Sequence, residues 1–100
     1  MVTGATTAST NVQLNLALRQ AAGEGADERV QSLLAEGAQV HANYDAALRD
    51  AAHWGHTRTV EILLVAGADP HALNDSALEW ARKNNHLETV EVLEKAMHRR

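Results

Sequence analysis

Residues 55–67 read GHTRTVEILLVAG, and the spacing of their apolar side chains indicates a helix. Val60, Leu63 and Leu64 recur at positions i, i+3 and i+4, which places them on one face of an α-helix. A glycine stands at each end of the stretch, and glycine adopts the left-handed backbone that ends helices at little cost. The stretch therefore predicts a short helix that packs on one face and lies between two turns.

The same pattern occurs three times along the chain, at intervals of thirty residues. The repeated columns are Val30, Val60 and Val90; Leu33, Leu63 and Leu93; Ala17, Ala47 and Ala77; Leu18, Leu48 and Leu78; and Ala21, Ala51 and Ala81. A fixed period of 20–50 residues is typical of an array whose units stack on one another. Such arrays present an extended surface to a partner, which favours binding over chemistry.

The first helix of each repeat is predicted by small residues at helical spacing. In the second repeat Ala47, Leu48 and Ala51 share one helical face. Asp45 and Asp75 stand just before the first helices of the second and third repeats, and we expect their carboxylates to cap the first amides.

The turn inside each repeat is marked by Gly25, Gly55 and Asn85. These residue types tolerate a left-handed backbone, so we expect a positive φ at all three positions. The second helix follows two residues later, and Gly37 and Gly67 close it in the first two repeats. The predicted architecture is an all-α helical solenoid of three helix–turn–helix repeats joined by short loops.

The chain is expected to form one domain over residues 11–100, preceded by a disordered leader over residues 1–10. The three repeats span about residues 12–45, 46–75 and 76–100. Glu94 and Lys95 replace apolar residues of the earlier repeats, so we expect the third repeat to be a terminal cap and the array to be complete.

The composition narrows the classes of function. The net charge of −4 argues against general nucleic-acid binding, which needs a basic stripe, and the chain has no cysteine for a disulfide or a thiolate site. No apolar run is long enough to cross a membrane, and the first residues lack the features of a signal peptide. We therefore expect a cytoplasmic protein that binds neither nucleic acid directly nor a membrane.

Residues 56–67, HTRTVEILLVAG, and residues 86–96, HLETVEVLEKA, resemble the second helix of an ankyrin repeat. The first helices match the family in part, through their alanines and leucines, and the resemblance covers about residues 12–98. It implies a stack of helix pairs that binds another protein through its concave groove and performs no catalysis.

Two departures from the family pattern concern the segment before each first helix. The period of thirty residues is shorter than the usual 33. The missing residues fall between Asp69 and Ala77, where the family builds its β-hairpin finger, and the family's TPLH signature is altered in all three repeats. We therefore expect shortened loops and a partner-binding surface on the exposed face of the first helices.

The candidate binding residues follow from the resemblance, because the two positions after the paired alanines of the first helix face the groove in ankyrin repeats. In the second repeat they are His53 and Trp54. We expect Trp54 to be an exposed hot spot, since Trp is enriched at such points. The alternative is a Trp that lies flat on its own helix or under a loop. Trp80 either extends this aromatic patch or covers the open end of the stack.

Further candidates lie around these rings. Tyr44 is expected at a loop tip on the same side. Arg49, Asp50, Glu79 and Lys83 are expected to ring the patch with charge, as in the polar rim of an interface. The alternative for each charge is a solvated helix face.

The six histidines do not predict a metal site. Equivalent histidines of neighbouring repeats are expected about 10 Å apart, too far for shared ligation at about 2 Å per bond. His56 and His86 are expected to hold the turns by hydrogen bonds, as the resemblance implies. The chain shows no phosphate-binding loop and no paired carboxylates, so we expect neither a cofactor nor an enzyme.

The leading interpretation is a small protein–protein interaction module whose partner is unknown. One alternative is a stand-alone inhibitor of a host enzyme or nucleoprotein, as in some viral or phage-like proteins with short repeats. Another is a structural protein that self-associates through the aromatic patch, which would give a weak homodimer rather than a monomer.

Overall fold

A computed structural model describes the backbone of residues 7–98 and the side chains of residues 11–98. Residues 7–98 form six helices: α1 (Thr7–Glu24), α2 (Asp27–Glu36), α3 (Ala42–His53), α4 (Thr57–Val65), α5 (Ala72–Lys83) and α6 (Leu87–Met97). No strand occurs in residues 7–98, which confirms the all-α prediction. None of these helices is both long enough and apolar enough to cross a membrane.

The first helix begins earlier than expected. Because α1 starts at Thr7, residues 7–10 are helical, and the prediction of a disordered leader is wrong for them. Extending a helix that has already formed adds one hydrogen bond per residue, so it can run past the last apolar contact. The leader prediction for residues 1–6, and the last two residues of the predicted domain, lie outside the described part of the chain.

The helices form two layers that share one core. The first helices α1, α3 and α5 pack side by side, and each also packs on the second helix of its own repeat, α2, α4 or α6. The core is built from the repeated columns, of which Leu18, Leu48, Val60, Leu63 and Leu93 are almost fully buried. Alanines at the helix contacts let the backbones approach closely, so each added repeat extends the same apolar seam.

The turn between the two helices of each repeat has the predicted conformation. The φ angles of Gly25, Gly55 and Asn85 are +70°, +74° and +61°. Gly37 and Gly67, with φ of +112° and +105°, follow the second helices of the first two repeats, as expected.

Each loop leading to the next repeat contains a left-handed turn where the longer family unit has a hairpin. The first left-handed turn is residues 43–45 and the second is residues 73–75, and all six residues have φ between +52° and +62°. A non-glycine residue in this conformation costs about 1–2 kcal/mol, so these turns must be held by other contacts. The loops are thus shortened, as predicted.

The capping role expected for Asp45 and Asp75 is wrong. Each is the last residue of a left-handed turn and directly precedes the right-handed part of its helix, but its carboxylate bonds to other groups. The buried Asp45 carboxylate accepts a hydrogen bond from the Asp69 amide at 2.7 Å and contacts His41 Nδ1 at 3.0 Å. Asp75 contacts His71 Nδ1 at 2.8 Å.

Candidate functional site

The carboxyl ends of α3 and α5 bring three rings together on the exposed face of the first helices. The His53 ring lies between the two indoles, with its centroid 4.6 Å from that of Trp54 and 4.6 Å from that of Trp80. Lys83 Nζ lies 5.5 Å from the centroid of the Trp80 ring, within the range of a cation–π contact. These four residues are called the aromatic cluster below.

Trp54 is exposed, as predicted, and retains 62% of its accessible surface. It follows the last residue of α3, and its indole meets the His53 ring edge-on at 72°. On its other side lies Gly23 of α1, where an added Cβ would stand 3.9 Å from the indole Cδ1 atom. Trp54 therefore spans the first and second repeats instead of lying flat on its own helix.

Trp80 extends the same patch. It is 41% exposed, and its contacts with His53 and Lys83 join it to the second repeat and to its own helix. Of the two alternatives for this residue, the geometry supports the patch.

The backbone beneath the rings is held by the third repeat. The His53 carbonyl oxygen accepts hydrogen bonds from Asn84 Nδ2 at 2.9 Å and from His86 Nε2 at 3.1 Å. His56 Nε2 donates in the same way to the Gly23 carbonyl oxygen at 3.0 Å. The histidines make hydrogen bonds at the turns, as expected, but these bonds join neighbouring repeats.

Asp50 lies on the same helical face and forms an ion pair with Arg19 of α1. The distance between Arg19 Nε and Asp50 Oδ2 is 2.8 Å, and both side chains are partly exposed. An exposed pair of this kind contributes about 0–1 kcal/mol to stability, so its main effect is to present paired charges beside the cluster.

Tyr44 lies at the opposite end of α3 from the cluster, and the Arg49 side chain bonds to that end. Arg49 donates from Nε to the Tyr44 carbonyl oxygen at 3.0 Å and from Nη2 to the Asn43 carbonyl oxygen at 2.9 Å. The Tyr44 side chain is 68% exposed in the first left-handed turn. Tyr44 is thus exposed in a loop, as expected, whereas the Arg49 guanidinium satisfies carbonyls that the left-handed turn leaves free; partner binding by either residue stays a prediction.

Glu79 is exposed beside Trp80 on α5. With Trp80, Arg82 and Lys83 it lines a shallow depression of about 420 Å³, and Arg82 Nη2 is paired with Glu94 at 2.6 Å. Of the expected charged rim, Asp50, Glu79 and Lys83 thus lie near the rings.

Among residues 7–98 no group of three His, Asp or Glu residues lies close enough together to hold a metal ion.

Two further residues lie beside the candidate binding residues. Gly23, one period before His53 and at the equivalent groove-facing position, leaves space beside the Trp54 indole. Arg19 pairs with Asp50 across repeats, but nothing in the spacing distinguishes it from Arg49, which occupies the equivalent position and bonds to its own loop.

Comparison with known families agrees with the geometry. The model described as ankyrin repeats (3 copies) matches residues 18–98. No curated protein matches the chain significantly. Ankyrin repeats are generally protein–protein interaction modules. With two layers of stacked helix pairs and a family match over most of its length, the chain belongs to the ankyrin repeat family.

Proposed function

We propose that the chain is a non-catalytic interaction module that captures a protein partner on the exposed face of its first helices, with the aromatic cluster as the anchor. The observation that carries the proposal is the pair of exposed indoles joined through the His53 ring. Large exposed apolar side chains that contact one another mark interaction sites more often than scattered ones do.

The cluster offers enough apolar area to anchor a partner. The exposed part of Trp54 amounts to roughly 150 Å², whose burial corresponds to about 4 kcal/mol before the costs of association. The His53 ring already packs on both indoles, so binding would immobilise little additional side-chain freedom.

The surroundings resemble the rim of an interface. Charges of both signs stand beside the rings, in the Arg19–Asp50 pair, in Lys83 and in Glu79. A mixed rim adds specificity more than affinity, and it fits a protein surface better than a polyanion.

Partner capture by three forms of the chain tests the proposal. Wild-type protein, Trp54→Ala and Val65→Ala are immobilised and exposed to an extract of the native host, and retained proteins are identified by mass spectrometry. Val65 is the matched control, since it is 90% exposed but lies on α4, in the layer of second helices. We expect at least one partner that the wild type and Val65→Ala retain and Trp54→Ala does not.

The affinity of that partner, once purified, should fall by about 1–3 kcal/mol in Trp54→Ala, which is roughly 5- to 150-fold. Equal retention by all three forms would refute the cluster as the anchor.

Two other roles use the same surface and are decided by further measurements. Self-association through the cluster would raise the molar mass of the wild type with concentration in light scattering, and Trp54→Ala would abolish the rise. If the captured partner is an enzyme, stoichiometric addition of the chain to its assay shows whether capture inhibits it.

A further inference from the structure

The contact between successive repeats has two parts that recur at both contacts. One is a histidine of the later repeat that enters the turn of the earlier one, as His56 does at Gly25 and His86 does at Gly55. The other is a buried threonine of the later repeat that hydrogen-bonds to the start of the second helix of the earlier one. Thr59 donates to Asp27, and Thr89 Oγ1 lies 2.7 Å from Thr57 Oγ1.

The histidine part requires glycine in the turn. A Cβ atom added to Gly25 would stand 2.6 Å from His56 Nδ1, and one added to Gly55 would stand 2.5 Å from His86 Nδ1. Real Cβ atoms essentially never approach that closely, so the absent side chain is what admits the ring. The φ angles of these turns are positive, which also favours glycine.

The outward face of the third repeat lacks both receiving groups. Its turn has the same left-handed backbone, with φ of +61°, but the residue there is Asn85, which carries the Cβ that would clash with a histidine ring at the equivalent Gly25 and Gly55. Leu87 stands where the earlier repeats have Asp27 and Thr57, and it is 73% exposed with no atom that accepts a hydrogen bond.

The outward face of the first repeat lacks both inserting groups. Ala26 has the backbone conformation of His56, with φ of −83° against −84°, but carries no ring. Arg29 occupies the position of Thr59 and is exposed, whereas Thr59 is 1% exposed.

These four positions have a common consequence. If all units of an array were equivalent, the outward face of the last repeat would fit the outward face of the first repeat of another copy. Such a head-to-tail contact does not form a closed ring, so it would extend into a filament. We propose that Asn85 and Leu87 on one end face, together with Ala26 and Arg29 on the other, prevent copies of this chain from stacking end to end. The inference does not depend on the aromatic cluster, which lies on the side of the stack.

Restoring the repeat residues at each end tests the inference. One variant carries Asn85→Gly and Leu87→Thr, and a second carries Ala26→His and Arg29→Thr. Each has only one competent face, so each alone should remain monomeric in light scattering. An equimolar mixture should approach twice the 10.8 kDa mass of one chain, and the variant with all four changes should form longer assemblies as concentration rises.

Trp54→Ala, introduced into every form, removes any association through the cluster without touching the end faces. Failure of the mixture to associate while both variants keep their helical circular dichroism would overturn the inference. End-to-end association of the chain with its native end residues would overturn it as well.

A second measurement serves if a variant fails to fold. A second copy of residues 68–98 is joined after Met97, with or without Asn85→Gly and Leu87→Thr in the original third repeat. The slope of the unfolding free energy against urea concentration scales with the surface that unfolding exposes. A fourth repeat that packs on the third should therefore raise this slope by about one third, and we expect that rise only in the form that carries Asn85→Gly and Leu87→Thr. An equal rise in both forms would contradict a block at Asn85 and Leu87.

Discussion

The two ends of α3 use their side chains in opposite ways. At the loop end, Arg49 donates to carbonyls of the first left-handed turn, and Asp45 is buried against the Asp69 amide. At the carboxyl end, Trp54 exposes its indole beside the half-buried His53, while the backbone beneath them is held by groups of the third repeat.

This difference shows which end is free to bind. A side chain that already satisfies a strained turn cannot turn to a partner without losing the contacts that hold the loop. The rings at the other end lose little when a partner covers them, since their fixed positions do not depend on their exposed surfaces. Changes at the loop end should therefore alter stability, and changes at the carboxyl end should alter affinity.

The largest effect is expected for Asp45→Ala. Its loss leaves the Asp69 amide without its acceptor in a partly buried place, so the free energy of unfolding should fall by about 2–3 kcal/mol in urea titration. Asp75→Ala is the matched control, because Asp75 has the same left-handed backbone but is only half-buried. Asp75→Ala should lower the free energy of unfolding by about 1 kcal/mol or less. Equal losses in Asp45→Ala and Asp75→Ala would contradict the role given to the Asp69 contact.

A smaller effect is expected for Arg49→Met, which keeps the aliphatic stem and removes the two hydrogen bonds to the loop. Because those carbonyls can turn to water, unfolding should become easier by about 1 kcal/mol. Amide hydrogen exchange should increase in residues 42–46 in particular. Glu79→Met, at the equivalent position of the third repeat, should change neither the free energy of unfolding nor the exchange of residues 42–46. If Arg49→Met leaves the exchange of residues 42–46 unchanged, the guanidinium does not hold the turn.

At the carboxyl end, His53→Ala removes the ring that joins the two indoles. Partner affinity should fall by about 0.5–1 kcal/mol, since the indoles lose the ring they pack against. The near-ultraviolet circular dichroism of the tryptophans should weaken at the same time. Lys83→Met leaves that packing intact and should lower the partner affinity less than His53→Ala does. A larger loss of affinity in Lys83→Met would indicate that charge, rather than ring packing, is the source of affinity.

The smallest effect is expected for Tyr44→Asn. Asparagine tolerates the left-handed backbone better than tyrosine does. The free energy of unfolding, measured by thermal denaturation, should therefore rise by up to about 0.5 kcal/mol. Partner affinity should not change. A clear loss of affinity would place Tyr44 in the interface and extend the binding surface to the loop end.

Much of the fold could be predicted because it follows from periodic positions. The columns of Leu, Val and Ala predict the helices and their buried faces, and glycine or asparagine in the turn column predicts the positive φ. The left-handed turns could not be predicted, because Tyr44 and Leu73 are not residue types that favour that backbone.

The candidate site was predictable to a similar extent. The exposure of Trp54 was expected from the resemblance to ankyrin repeats, and the His53 ring, which contacts both Trp54 and Trp80, fitted the expected patch. The role of Arg49 was not predictable, because the carbonyls it satisfies become available only once the left-handed turn has formed.

The proposal is tested most directly by measuring two quantities on two variants, Trp54→Ala and Asp45→Ala. The quantities are the free energy of unfolding in urea and the affinity for the captured partner under conditions where each variant is folded. Trp54→Ala should lose at least about 1–2 kcal/mol of affinity at nearly unchanged stability, and Asp45→Ala should lose stability at nearly unchanged affinity. Parallel losses of both quantities in both variants would contradict the division between a loop end that holds the fold and an aromatic end that binds.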